Sequence, residues 1–329
     1  MTASPGADAW AEVTDSVDAR LKVVALGGGH GLAANLSALR GFCDDLTAVV
    51  TVADNGGSSG RLRREFGVLP PGDLRQALAA LCRDDEWGRT WAEVLQYRFA
   101  SRGEMHNHAV GNLLIVALWE LLEDKVAGLD WVGRLLGAEG RVLPMAAVPL
   151  DIQAKVRGAS PDDPDSVATV RGQVEIATTP GLVETVELIP GNPPACPEAV
   201  AAVLSADWVI LGPGSWYTSV LPHLLVPELL AALTASAARC CVTLNLAPQL
   251  GETDGFSPNT YLEVLAMYAP GLQIDAVLVD PSSVVDMPML EETVNGLGAE
   301  LVVAKVAADD GTARHDVTRL ADAYAGIMR

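Results

Sequence analysis

The amino-acid sequence predicts an α/β protein: a Rossmann-like open, mostly parallel sheet with helices on both faces and a β-rich antiparallel insertion. Three observations lead there. Short apolar runs of strand type occupy residues 21–26, 46–53, 208–211, 241–246, 276–279 and 301–304, each within the length of a buried strand. The first passes through the glycine-rich GGGHG at 27–31 into the amphipathic LAANLSALR and then into the second, which makes a parallel βαβ unit with a right-handed crossover. Between 142 and 190 the pattern turns to apolar–polar alternation broken by Pro, Asp and Gly clusters, as in antiparallel strands with one wet face.

Taken in order, the second run ends at Asp54 and enters NGGSSGR, read as a loop on the same sheet edge as the first glycine turn. Helical patterns follow at 73–82, 87–99 and 111–123, with the extended SRGEMHNHAV between the last two. MAAVPLDIQAKVRG, ATVRGQVEIAT and LVETVELIP read as the antiparallel strands. The α/β rhythm resumes with a helix at 197–204, the strand 208–211, the loop GPGSWYTS, a helix and the later strands. There is no internal repeat and no low-complexity linker. The expected organisation is therefore a polar tail at 1–20 and a single nucleotide-ligand-binding domain at 21–329, with the β-rich insertion at about 142–190.

Composition bounds the function. The chain has 329 residues, 50% of them hydrophobic, enough for a sizeable core. Every apolar run is broken before the roughly 18 residues a spanning helix needs, so membrane insertion is not expected. The first 20 residues lack the basic start and apolar centre of a secretory signal. Five cysteines, none in a CxxC pair, suit a reducing cytosol and argue against a zinc site or redox dithiol. A net charge of -20 repels phosphates over the surface at large, so general nucleic-acid binding is not expected. Against that background the cluster Arg61, Arg63 and Arg64 stands out, either as an anion clamp or as a solvated helix face.

The residues able to carry chemistry fall at the ends of the expected parallel strands. Gly27, Gly28, Gly29 and Gly31, with His30 among them, form a strand-to-helix turn where backbone N–H groups and the positive helix end can hold a phosphate. A turn that only allows tight packing is the plainer reading. No GK[ST] follows, which excludes a Walker loop, and Leu32 stands where the third glycine of a dinucleotide fingerprint should be. Asp54 could still bind a ribose hydroxyl, so an NAD-binding protein stays an alternative. Asp54, Asn55, Gly57, Ser58, Ser59 and Arg61 combine carboxylate, amide, hydroxyl and guanidinium in one glycine-rich loop, unless they form only a polar turn. Asp73 and Arg75 open a helix, where an arginine gains nothing from the dipole, so a bound anion or exposure to water must account for it. His108 and Asn112, near His106 and Asn107, either meet a ligand or cap their helix. Gly214 and Ser215 suggest a second anion loop, and Asn245, Gln249, Glu252 and Thr253 lie beyond a further strand. Neither a G-x-S-x-G elbow nor a Cys–His signature is present, so no nucleophile has an obvious base.

Taken together, GGGHGL at 27–32, TVADNGGSSGRLRREFGVLPPGDLRQAL at 51–78, HAVGNLL at 108–114, LGPGSWYTS at 211–219 and GETDGF at 251–256 resemble the gluconeogenesis factor family, the YvcK-like branch of the CofD-like proteins. The resemblance implies a cytoplasmic protein of Rossmann type, needed for cell shape and cell-wall synthesis on gluconeogenic carbon sources, with UDP-sugars such as UDP-N-acetylglucosamine as ligands. The related CofD branch is enzymatic and moves a phospholactyl-type group from a nucleotide diphosphate donor, with magnesium. By resemblance Gly28, Gly29, Asp54, Ser58, Asn112 and Gly214 are ligand contacts. The chain departs from the family pattern in His30, where Thr is common, Asn55, where a second Asp is common, and Asn107, where Gly is common. Loss of a carboxylate at position 55 weakens the enzymatic reading. The expectation is a UDP-sugar-binding regulatory protein that requires no cofactor and no metal, with a CofD-like transferase as the alternative. The implied partners are the nucleotide-sugar and a regulatory protein of cell-wall synthesis, and self-association into a homo-oligomer stays open.

Overall fold

A computed structural model describes residues 21–329 except 161, 162, 164 and 250, and the tail expected at 1–20 lies outside the described residues. Along the chain β1 (Lys22–Gly27) leads into α1 (Gly29–Leu39) and β2 (Asp45–Val50). Five helices then precede β3 (Arg141–Pro144): α2 (Gly57–Phe66), α3 (Pro71–Ala80), α4 (Glu86–Gln96), α5 (Val110–Leu122) and α6 (Lys125–Leu136). The insertion is β4 (Asp151–Arg157), β5 (Val167–Arg171), α7 (Gln173–Ala177) and β6 (Leu182–Ile189). The chain returns through α8 (Pro197–Ser205), β7 (Trp208–Leu211), α9 (Pro227–Ala235), β8 (Arg239–Thr243), α10 (Pro258–Tyr268), β9 (Ala276–Val279), α11 (Met287–Gly296), β10 (Glu300–Val303) and α12 (Val317–Ile327).

Seven strands form the main sheet in the order β10-β9-β8-β7-β1-β2-β3, every neighbouring pair parallel. From β1 the chain winds outward through β2 to β3, and after the insertion it winds the other way from β7 to β10. The strand order thus reverses between β1 and β7, and in such sheets the crevice lies beyond the carboxyl ends of the strands at that point. Gly27 pairs with Val50 of β2, and Leu26 with Leu211 of β7, so the three strands end level and their loops share one edge. All four residues of β7 are buried, as are the last five of β1 and β2, which is why these strands read as unbroken apolar runs. No single helix among the described residues is long and apolar enough to cross a membrane.

Four local expectations are corrected. The run at 142–144 does not open the antiparallel part. It is β3, parallel to β2 on the sheet edge, because Val142 and Leu143 are buried there. The small antiparallel sheet holds only β5-β4-β6. ATVRGQVEIAT is not one strand, since Gly172 takes φ 108 and turns the chain from β5 into α7. Residues 57–66, read in part as loop, are the helix α2, and α6 has no counterpart in the sequence reading.

Candidate functional site

The glycine run after β1 divides its work. Gly28 is the N-cap of α1, and Gly29, at φ 57, is its first residue. Gly31 is required for a close approach: a Cβ there would lie 2.2 Å from the Pro213 carbonyl oxygen. The loops after β1 and β7 therefore touch backbone to backbone. The second loop is pinned from two further directions. Asn245 Oδ1 accepts from Gly214 N, and Asn245 Nδ2 donates to Gly214 O, both at 2.8 Å. Asn35 Nδ2 in α1 donates to Gly212 O, while Tyr324 of α12 donates to Asn35 Oδ1 at 2.7 Å. Tyr324 also meets Thr243 Oγ1 of β8 at 2.7 Å. Asn35, Thr243 and Tyr324 are all fully buried, so this chain of polar groups fixes the loop from inside the core.

Four helix N-termini converge at the β1–β2 side of the crevice. α1, α2, α3 and α5 start after Gly28, Gly56, Pro70 and Ala109, none of which caps its helix with a side chain. Of the remaining helices, α4, α6, α10, α11 and α12 are capped by Asp85, Asp124, Ser257, Asp286 and Asp316, while α7, α8 and α9 have no cap from their own N-cap residue, so it is the grouping of four such ends that marks this place. First-turn N–H groups have no partner within their own helix and carry its positive dipole end, so uncapped ends grouped in one place attract an anion. A cleft of about 250 Å³ lies among three of these ends, lined by Asp54, Gly57, Ser58 and Ser59 from the α2 side, Asp73 and Arg75 from α3, and Asn112 from α5. The fourth reaches it through Gly28, where a Cβ would lie 2.7 Å from Asp73 Oδ2.

Polar atoms buried here lack protein partners: Thr51 Oγ1, Asp73 Oδ2, Arg75 Nε and Asn112 Oδ1. Leaving such atoms unsatisfied costs about 1–3 kcal/mol each, and a polar ligand removes that cost. Burial pushes the Asp73 carboxyl up to about 7, the Asp54 charge adds to the rise, and Arg75 and the Gly29 N–H partly offset it. Burial and the charge of Arg98 lower the Arg75 guanidinium to about 10. Arg75 also donates to Gln96 Oε1, which sets its orientation.

Ser58 is the hub of the far wall. Its Oγ accepts from Asn112 Nδ2 at 3.1 Å and from Ala109 N at 3.4 Å, and lies 3.0 Å from His108 Nδ1. With both lone pairs engaged, the hydroxyl must donate to His108, which places the imidazole proton on Nε2. Burial, then the Arg61 charge, lowers the His108 pKa, in keeping with a neutral acceptor. A Ser–His pair thus exists that the sequence spacing did not show, since 50 positions separate the two. The hydroxyl thus points its proton at a neutral imidazole nitrogen that could take it, and its bond to Asn112 Nδ2 leaves Asn112 Oδ1 without a protein partner.

A second cleft of about 450 Å³ opens on the other side of the glycine run, lined by His30, Gly31, Gly214, Asn245, Leu246 and His315, among others. Other expected positions are used within the protein. Asn55 bonds to α7 of the insertion. The Arg61 guanidinium donates to the carbonyls of Glu104 and His106 at 2.9 and 2.7 Å. Ser215 accepts from Ser219 N through its carbonyl, buried Glu252 accepts from Thr218 N, and buried Thr253 meets Gln249 N and Tyr261 Oη. Sequence reasoning missed Thr51 and Arg98. Thr51 falls in an apolar run, and Arg98 lies on a loop whose return to the cleft no local pattern announces.

Fold and crevice together define a doubly wound α/β protein with a polar, anion-suited crevice at the switch point of its sheet. Comparison with known proteins agrees with this fold. Residues 23–318 match the family model described as 2-phospho-L-lactate transferase CofD. The chain is 52% identical over 308 residues to a putative gluconeogenesis factor of Mycobacterium tuberculosis (strain H37Rv), covering 93% of this chain and 90% of that one. It is 34% identical to a gluconeogenesis factor of Listeria innocua, covering 95% of this chain and 97% of that one. A crystal structure of a UPF0052-family protein from Bacillus halodurans superposes with a TM-score of 0.82 at 30% identity, over 92% of this chain and 98% of that one. The chain belongs to the gluconeogenesis factor family, the YvcK-like branch of the CofD-like proteins.

Proposed function

We propose that this protein binds a UDP-sugar of the UDP-N-acetylglucosamine type as a regulatory ligand in the cytoplasm, and that the liganded form acts on a regulatory protein of cell-wall synthesis to maintain cell shape on gluconeogenic carbon sources. The observation that carries this reading is the meeting of four uncapped helix ends with the unpartnered Thr51, Asp73, Arg75 and Asn112 atoms. A diphosphate over Gly28, Gly29 and Gly31 would have the N–H groups it needs. The nucleoside would then enter the larger cleft at His30 and Leu246, and the sugar hydroxyls would reach Asp54, Asp73 and Asn112. The test is a thermal-shift panel of UDP-sugars, GDP derivatives and NAD. UDP-N-acetylglucosamine is expected to stabilise the protein by about 2.7 kcal/mol at a hundredfold excess over its Kd. Stabilisation by NAD or a GDP derivative alone would sink this reading.

A CofD-like transferase is the second reading, and one observation favours it: Asp54 and Asp73 line the same cleft. Two carboxylates with substrate phosphates suit magnesium, which would neutralise phosphate charge there. Position 55 bears less on this choice than its residue type suggests, since Asn55 bonds to the insertion. Titration of UDP-N-acetylglucosamine with and without chelator separates the readings: little change is expected for the regulatory protein, and a strong loss of affinity favours the transferase.

A further inference from the structure

The helix α7 spans from the loop after β2 to the turn at Gly251. On the β2 side, Asn55 Nδ2 donates to Glu175 Oε2 at 2.8 Å, and Asn55 Oδ1 accepts from Val174 N at 3.2 Å. Gly172, the residue before α7, has no side chain to cap it, and Asn55 supplies that cap from another segment. The fit is close: a Cβ on Gly56 would lie 2.8 Å from Val174 Cγ2, and one on Gly172 would lie 2.4 Å from Asn55 Nδ2. On the β8 side, a Cβ on Gly251 would lie 2.7 Å from Ala177 O and 3.0 Å from Thr179 O, so the far end of α7 rests on the turn beyond that strand. A third tie joins the insertion to α2, where Arg63 meets Asp151 of β4 at 2.6 Å.

We propose that Asn55 is a positioning residue that locks the antiparallel insertion onto residues 54–60, so that this loop and the insertion beside it are ordered as one unit. Asn55 acts on the ligand only through Asp54, Gly57 and Ser58, whose places it fixes. The bond to Glu175 needs an amide. A carboxylate at position 55 would still accept from Val174 N, but it would lose the donor and stand against the Glu175 charge. The insertion is therefore held by a pairing that an isosteric change reverses, and a matching change at Glu175 restores it.

The proposal rests on the UDP-sugar reading for its binding arm only. Wild type, Asn55→Asp and the double variant Asn55→Asp/Glu175→Gln are compared by limited proteolysis of unliganded protein, with cleavages in residues 151–190 mapped by mass spectrometry, and by calorimetry with UDP-N-acetylglucosamine. Because cleavage follows the open population, Asn55→Asp is expected to be cut about fivefold faster in the insertion, and to bind roughly tenfold more weakly. In the double variant the amide now at position 175 can donate to the carboxylate now at position 55, and both values should return to within about twofold of wild type. A wild-type cleavage rate in Asn55→Asp, or a double variant no better than the single one, overturns the proposal. Should Asn55→Asp fail to fold by circular dichroism, Glu175→Ala removes the same bond from the other side and must raise cleavage of the insertion, or the proposal falls. If wild type does not bind UDP-N-acetylglucosamine, the UDP-sugar reading fails, and the proteolysis comparison still decides the role of Asn55.

Discussion

Asp73 shows at the scale of one residue how this crevice sets stability against binding. Its carboxyl is pushed up to about 7, chiefly by burial. For an acid with a raised folded pKa, the native state holds the proton more tightly than the unfolded chain does, so stability rises as pH falls through about 7 and levels off near the unfolded value of about 4. Above pH 7 the buried charge is a cost. Asp73→Asn should therefore be more stable than wild type at pH 8.5, by about 1–3 kcal/mol given ~1.4 kcal/mol per pKa unit, and nearly equal to it at pH 4.5. Urea unfolding at the two pH values measures this, and a constant difference would show that Asp73 does not titrate in that window. The same variant should bind UDP-N-acetylglucosamine more weakly, as expected where a costly group is kept for function. The sequence made Asp73 and Arg75 visible as an odd pair at a helix start, but the burial that makes them matter comes from the neighbouring helices.

At the scale of elements, α12 and α1 act as a brace for the loop after β7. Tyr324 donates to Asn35 Oδ1 and meets Thr243 Oγ1, and Asn35 in turn holds Gly212 O. Tyr324→Phe leaves two buried polar groups without their partner, which should cost about 1–3 kcal/mol for each group by chemical denaturation. Because the brace ends on the Gly212 carbonyl, ligand affinity should fall as well. A stability loss with unchanged affinity would mean that the loop holds its shape through Asn245 alone. Elements like these were unevenly legible. β7 and β9 stand out as fully buried apolar runs. α2 hides because GSSG at its start has poor helix propensity and its buried residues are Ser58, Ser59, Gly60 and Leu62. The role of Asn55 could not be read at all, since its partner lies 120 positions away.

At the scale of the whole molecule, a net charge of -20 surrounds the crevice where the four helix ends and Arg75 meet. Helix ends and Arg75 act over a few ångströms, whereas the overall field acts over a Debye length of ~30 Å at 0.01 M salt and ~10 Å at 0.1 M. Raising ionic strength in that range should therefore screen repulsion more than attraction, and the association rate of UDP-N-acetylglucosamine should increase. A rate that falls with salt in stopped-flow measurements would show that the local positive potential dominates at long range. The parallel architecture was legible from the order of apolar runs and glycine turns, while the place of β3 at the sheet edge and of α7 against the loop after β2 depends on packing across the fold. The Tyr324 brace also has a meaning for biosynthesis. It joins residues 289 positions apart, which at ~5–20 residues per second is about 15–60 s of translation. During that time the nascent chain can assemble β1, β2 and their loops but not the completed crevice. On the UDP-sugar reading, full affinity should therefore be reached only after α12 has left the ribosome, and a product truncated before Tyr324 should bind UDP-N-acetylglucosamine more weakly even where its sheet had formed.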